Sequence, residues 1–168
     1  MTDVQQIPGA GHIRDGTHQL PIRVYWEDTD AGGIVYYANY LRFIERGRSD
    51  LLRLLGIDQS LLMDNINPPK SGTRIASDPQ GVMFAVRKCT LDYLIPARLD
   101  DALVVETEVS RVAGASIDMV QNVRRDEDIL VRAEVRVACI GRGDGRPRRI
   151  PEVVKRHLGG MTEDRSRD

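Results

Sequence analysis

A chain of 168 residues with a formal net charge of −1 and 41% apolar content is large enough for one domain with a single buried core. The near-zero charge removes any global pull toward nucleic acid or anionic membrane, and no apolar run approaches the roughly 18 residues a transmembrane span needs. The opening MTDVQQIPGAGH has no basic region followed by an apolar one, so the default expectation is a cytoplasmic protein. Cys89 and Cys139 sit far apart in apolar, strand-like runs and read as buried thiols in a reducing compartment. With no CxxC or HxxxH spacing, no metal site is expected.

In chain order, residues 1–20 lack periodicity and read as a loose arm. A domain is expected over 21–158. Ile22 to Trp26 is a short β-prone run that ends at the acidic cluster Glu27, Asp28 and Asp30. The turn Ala31-Gly32-Gly33 follows, then a helical pattern from near Val35 to Leu55. Within it Tyr40, Ile44, Gly47, Leu51 and Leu54/Leu55 form one stripe, with Gly56 as a natural stop. Gly47 costs about 1 kcal/mol against Ala in a helix, and is expected to let that helix approach a sheet closely. Asp64 to Gly81, rich in Pro and Gly, reads as a long loop of the kind that forms lids. Four period-two runs follow: Val82 to Tyr93, Leu103 to Val112, Ser116 to Arg125 and Ile129 to Ile140. The breaks at Pro96, Gly114 and Asp126-Glu127-Asp128 are short enough for hairpins, which favours an antiparallel meander. Gly159 to Asp168 reads as a frayed, charged tail. One helix cannot cover both faces of such a sheet, so self-association is expected, most simply as a two-fold dimer.

The segment Glu27 to Tyr40 carries most of the chemistry. A carboxylate leaves a strand, two glycines permit close backbone approach, and a helix begins. Helix N-termini offer unpaired N–H groups that can hold developing negative charge on an oxygen, and a nearby carboxylate can act as nucleophile or base. The plain alternative is that Asp28 or Asp30 merely caps the turn. The three histidines, His12, His18 and His157, lie near the chain ends, so a Ser-His-Asp site is not supported. GxSxG, Walker A and strand-linked GxGxxG motifs are all absent. A kit of carboxylate plus backbone dipoles, without metal, cofactor or imidazole, suits thioester hydrolysis. A thiol with a pKa near about 8.5 leaves with little help from an acid.

The stretch EDTDAGGIVYYANYLRFIERGRSDLLRLLGI, Glu27 to Ile57, resembles the 4-hydroxybenzoyl-CoA thioesterase family of hotdog proteins, most closely its Tol–Pal-associated (YbgC-type) acyl-CoA thioesterases. VRKCTLDYLIPARLDD (Val86 to Asp101) and VRAEVRVACI (Val131 to Ile140) agree, and the likeness spans about residues 22–158. It implies an α+β hotdog fold, a five-stranded antiparallel sheet wrapped around a long central helix. It also implies hydrolysis of acyl-CoA, and a site between two subunits of a homodimer or homotetramer. The family's catalytic Asp falls on Asp30. Backbone amides around Gly33, Val35, Tyr36 and Tyr37 are expected to face the thioester carbonyl. Tyr37 occupies a position where the subgroup usually has His, and it is a poor base at neutral pH. The loop Pro68 to Gly81 resembles an insertion.

Tyr40 is expected to pack in the core, Glu45 to pair with Arg46 or Arg48, and Trp26 to lie in a core or interface. Arg142, Arg148 and Arg149, after the last strand, are candidates for the CoA phosphates, against the reading of a solvated basic loop. Acyl carrier protein is a possible partner for the same patch. The competing readings are a non-catalytic acyl-thioester binder, a hydrolase of acyl carrier protein thioesters, and a hydratase, the last disfavoured by the missing core His. Acyl preference, and Asp30 as nucleophile against general base, stay open.

Overall fold

The computed structural model describes residues 10–57 and 81–163. The expected lid over 64–81 lies outside the described residues apart from Gly81. Six strands form one antiparallel sheet: β1 (His12–Arg14), β2 (Thr17–Arg23), β3 (Val82–Tyr93), β4 (Ala102–Val112), β5 (Ser116–Arg125) and β6 (Asp128–Gly141). Their spatial order is β1-β2-β4-β5-β6-β3. The central helix α1 runs Asn39–Leu54, and a second helix, α2, runs Glu152–Glu163.

Several expectations change. Residues 12–20, read as part of a loose arm, are two strands joined by a turn at Asp15-Gly16: His12–Arg14 pairs with Thr17–His18–Gln19, and β2 then pairs with β4 from His18 to Arg23. The sheet therefore has six strands. The break at Pro96 is not a hairpin. β3 pairs with β6, while β4 pairs with β2 and β5, so the link Leu94–Asp101 crosses from one side of the sheet to the other. The start of the expected tail is part of α2. Its Val154, Leu158 and Met161 are buried, with Ile150, against Leu51, Leu52, Val109 and Cys139.

Helix α1 lies on the concave face as the stripe predicts, with Tyr40, Phe43, Ile44, Gly47, Leu51 and Leu52 buried; Leu54 points out. A Cβ on Gly47 would meet Val105 Cγ1 at 2.8 Å and Thr107 Oγ1 at 3.0 Å, so only a glycine lets the backbones approach this closely. That approach carries a polar cluster into the core. Gln121 Nε2 donates to the Ile44 carbonyl and the Thr107 hydroxyl, both at 2.8 Å, and buried Arg48 donates to Gln121 Oε1 and pairs with Glu45. The helix ends in a Schellman motif: Gly56, at φ +72, donates to Arg53, and Ile57 donates to Leu52.

Candidate active site

The acidic cluster divides into distinct roles. A one-turn 3₁₀ helix, Trp26–Asp28, follows β2. Asp28 is buried, and its carboxylate accepts the Tyr25 amide at 2.9 Å while its carbonyl accepts both the Tyr36 amide and Asn39 Nδ2. Asp28 is thus the capping aspartate. Asp30 is exposed. One oxygen accepts the Gly32 amide at 2.7 Å, and the other makes no hydrogen bond among the described residues. Gly32 has little room for a side chain, since its Cβ would stand 3.0 Å from that same oxygen.

Residues 29–35 close into a tight hairpin. Thr29 bridges Val35, and the Asp30 amide donates to the Ile34 carbonyl at 2.9 Å. Gly33 takes the left-handed φ of +73 that this turn requires. The crossover Leu94–Asp101 runs alongside: Ile34 bridges Arg98, and the Val35 amide donates to the Ala97 carbonyl at 2.9 Å. The Ala97 amide in turn donates to the buried Tyr40 hydroxyl at 2.9 Å, so Tyr40 is a core residue that also anchors this loop.

The amides of Gly33, Val35 and Tyr36 already donate to Asp30, Ala97 and Asp28, so they are not the open donors that the sequence suggests. The reason is that α1 begins at Asn39, four residues later than the apolar pattern implies, because Ile34 and Val35 are held extended by the crossover. Ala38, the N-cap residue, has no side-chain acceptor to satisfy the first turn. Among the described residues nothing accepts the amides of Tyr37 and Ala38. They are open donors near the helix start, as is the Tyr40 amide, and they follow immediately after the hairpin that holds Asp30.

The tyrosine rings form a partly exposed cluster. Tyr36 and Tyr37 lie 4.7 Å apart between centroids, Tyr93 sits 6.3 Å from Tyr37 and 5.8 Å from Tyr40, and the Tyr93 hydroxyl donates to the Tyr37 carbonyl. The Tyr36 phenol titrates above its ordinary value because it hydrogen-bonds to Tyr37 and is repelled by it. Burial, then Tyr37, does the same to Tyr93. Both therefore stay neutral donors at physiological pH.

Arg142, Arg148 and Arg149 follow the Gly141 end of β6, whereas the crossover and Tyr93 lie at its Val131 end. Ten residues at about 3.3 Å each separate these two ends of β6 by on the order of 30 Å. Arg148 is engaged with Asp144 at 2.8 Å. The cation that the fold does bring to the hairpin is Arg98, whose approach to Ile34 crosses more than sixty positions and leaves no sequence signal. Trp26, 79% exposed, is not a core residue. Among the described residues no cluster suited to a metal ion occurs.

Residues 24–158 match the family model of the thioesterase-like superfamily. The chain is 42% identical over 141 residues to an acyl-CoA thioesterase, YbgC, of Haemophilus influenzae, covering 84% of this chain and 93% of that one. It is 39% identical over 135 residues to the acyl-CoA thioester hydrolase YbgC of Escherichia coli O157:H7, covering 80% and 90%. A crystal structure of a probable thioesterase from Bartonella henselae superposes with a TM-score of 0.69 at 38% identity, over 80% of this chain and 99% of that one. With the match spanning the domain and the hotdog architecture in place, the chain belongs to the thioesterase-like hotdog superfamily.

Proposed function

We infer that this chain hydrolyses acyl-CoA thioesters to the free acid and CoA, with Asp30 as the catalytic carboxylate and the Tyr37 and Ala38 amides as the oxyanion donors. The observation that carries this reading is the pairing of an exposed carboxylate, one oxygen fixed by Gly32, with an uncapped helix start on the same short hairpin. The fixed carboxylate attacks the thioester carbon or directs a water onto it. The amides, supported by the helix dipole, hold the charge that builds on the carbonyl oxygen. The CoA thiolate then departs without needing a strong acid. Tyr37 contributes its backbone N–H.

The functional unit is a homo-oligomer. Edge strand β3 is twelve residues long, no strand among the described residues pairs with its outer edge, and its Val86 and Tyr93 and the following Leu94 and Ile95 are exposed. Two-fold antiparallel pairing of β3 edges would carry each chain's Val82 end toward its partner's Tyr93 end. Arg142, Arg148 and Arg149, remote from Asp30 in their own chain, would then approach the partner's site and its CoA phosphates. Arg98 serves the same phosphates from the hairpin's own chain. No described helix is long and apolar enough to cross a membrane, and the reaction as drawn has a cytoplasmic substrate and needs no cofactor.

Thiol release from a panel of acyl-CoA and acyl carrier protein thioesters tests the reading. The Asp30→Asn variant is expected to lose about a thousandfold or more in kcat while keeping its fold. Wild-type binding without hydrolysis of any thioester would instead mark a non-catalytic acyl-thioester binder.

A further inference from the structure

An amide N–H is aimed no better than the carbonyl of its own peptide. The peptide is one planar, conjugated unit, with N–H and C=O on opposite sides of the trans bond. A hydrogen bond accepted by the oxygen therefore fixes the direction of the N–H, and by drawing density from the nitrogen it strengthens the N–H as a donor. The two oxyanion donors differ in what stands behind them. The Tyr37 N–H shares its peptide with the Tyr36 carbonyl, which accepts the Asn39 amide at 2.8 Å. The Ala38 N–H shares its peptide with the Tyr37 carbonyl. No backbone amide among the described residues donates to that oxygen, because Leu41 turns to the Ala38 carbonyl instead. The group that does donate to it is a side chain, the Tyr93 hydroxyl, at 3.2 Å and across 56 sequence positions.

Tyr93 is held where this requires. It is the last residue of β3, paired with Val131. Directly after it the Leu94 and Ile95 amides both donate to the Leu130 carbonyl, at 2.9 and 3.1 Å, which pins the chain as it leaves the strand. The ring meets Tyr37 edge-on at 6.3 Å and Tyr40 at 5.8 Å, and Tyr40 is itself buried and tied to the Ala97 amide. Burial, then the Tyr37 phenol, raises the Tyr93 phenol above its ordinary value, so it keeps the proton it donates. We propose that Tyr93 is a positioning residue of the hydrolytic site, its hydroxyl aiming and polarising the Ala38 N–H toward the thioester oxygen without touching substrate. The proposal rests on the assignment of that oxygen to the Tyr37 and Ala38 amides. As negative charge grows on the oxygen it draws on the Ala38 N–H, the Tyr37 carbonyl becomes a better acceptor, and the Tyr93 bond tightens with it. The contribution is therefore larger in the transition state than in the bound substrate, and belongs to kcat rather than to KM.

The test compares the unsubstituted protein with Tyr93→Phe, Tyr93→Leu and Asp30→Asn in thiol release from butyryl-, decanoyl- and benzoyl-CoA. Losing an oxyanion donor outright costs about a hundred- to a thousandfold in kcat. Tyr93→Phe keeps the N–H and removes only its backing, so kcat should fall by about tenfold with KM within about twofold of the parent. Parent-like kcat in Tyr93→Phe, with a loss only in Tyr93→Leu, would assign the effect to ring packing and overturn the proposal. A loss carried by KM would make Tyr93 a substrate contact and overturn it equally. A spectroscopic readout separates polarisation from a general loosening of the site. In the Asp30→Asn protein, the bound C=O stretch of an acyl-CoA isotope-labelled at the thioester carbon should lie below its value in water. Adding Tyr93→Phe should move that band back toward the free value; an unmoved band would overturn the proposal even if kcat fell. Hydrolysis that survives Asp30→Asn, or a band at the free value in Asp30→Asn alone, would overturn the site assignment and the proposal with it.

Discussion

Asp28 and Asp30 are two positions apart, and both carry the residue type that caps turns. What separates them is where the second oxygen goes. Asp28 spends its carboxylate on the Tyr25 amide inside the fold, and Asp30 spends one oxygen on Gly32 and leaves the other in solvent. The two should therefore fail in different ways. Asp28→Ala leaves a backbone amide without its partner and is expected to cost about 1–3 kcal/mol, read as a lower melting temperature. Asp30→Ala should leave the melting temperature nearly unchanged and abolish turnover. Tyr37→Phe keeps the backbone donor, and its kcat is expected within about tenfold of the parent. A loss as large as that of Asp30→Asn would instead give the phenol itself a catalytic role. The spacing of carboxylate, double glycine and helix was legible in the sequence. Which amides stay open was not, because that depends on Ala97 and Asp28 carbonyls delivered by the tertiary fold.

At the scale of elements, the hydrophobic period located the strands from Val82 to Ile140 to within one residue, and β4, β5 and β6 alternate with a buried residue at nearly every second position. It misplaced the start of α1, where Ile34 and Val35 fit an apolar stripe but are held extended by Arg98 and Ala97. It placed the first strand at Ile22 to Trp26, whereas β2 runs Thr17–Arg23, because the inward residues of β2 include a histidine. His18 is fully buried, with Nε2 2.9 Å from Asp50 Oδ2 and Nδ1 without a partner among the described residues. Burial, against the raising effect of Asp50, holds its pKa below the ordinary value of about 6.5. The unfolded chain therefore binds a proton at His18 that the folded one resists. Stability attributable to this site is full above pH ~6.5 and is lost as pH falls below it toward the folded-state value. The melting temperature of the wild type should drop more steeply below pH ~6.5 than that of His18→Gln; parallel curves would contradict this. Gly47→Ala tests the helix–sheet approach. Helix propensity alone predicts a gain of about 1 kcal/mol. The contacts with Val105 and Thr107 predict a net loss of about 1–3 kcal/mol in urea unfolding.

At the scale of the whole molecule, the class of fold and its chemistry were readable, but the strand order was not. The link at Pro96 has the length of a hairpin and is in fact the crossover that stretches from β3 to β4 and braces the hairpin of Asp30. The same order leaves β3 at an edge of the described sheet, which is why self-association is proposed from topology rather than from any motif. If the site is completed by a second copy, specific activity should fall on dilution in step with dissociation measured by sedimentation; activity that persists in the separated monomer would contradict this. The geometry at the helix start is the claim beneath all of these, and a crystal structure of the Asp30→Asn variant with an intact acyl-CoA tests it most directly. The account predicts the thioester oxygen at about 3 Å from the Tyr37 and Ala38 amides, with the substituted carboxamide at position 30 poised over the carbonyl carbon. A thioester bound elsewhere, or those amides covered by protein in the complex, would contradict it.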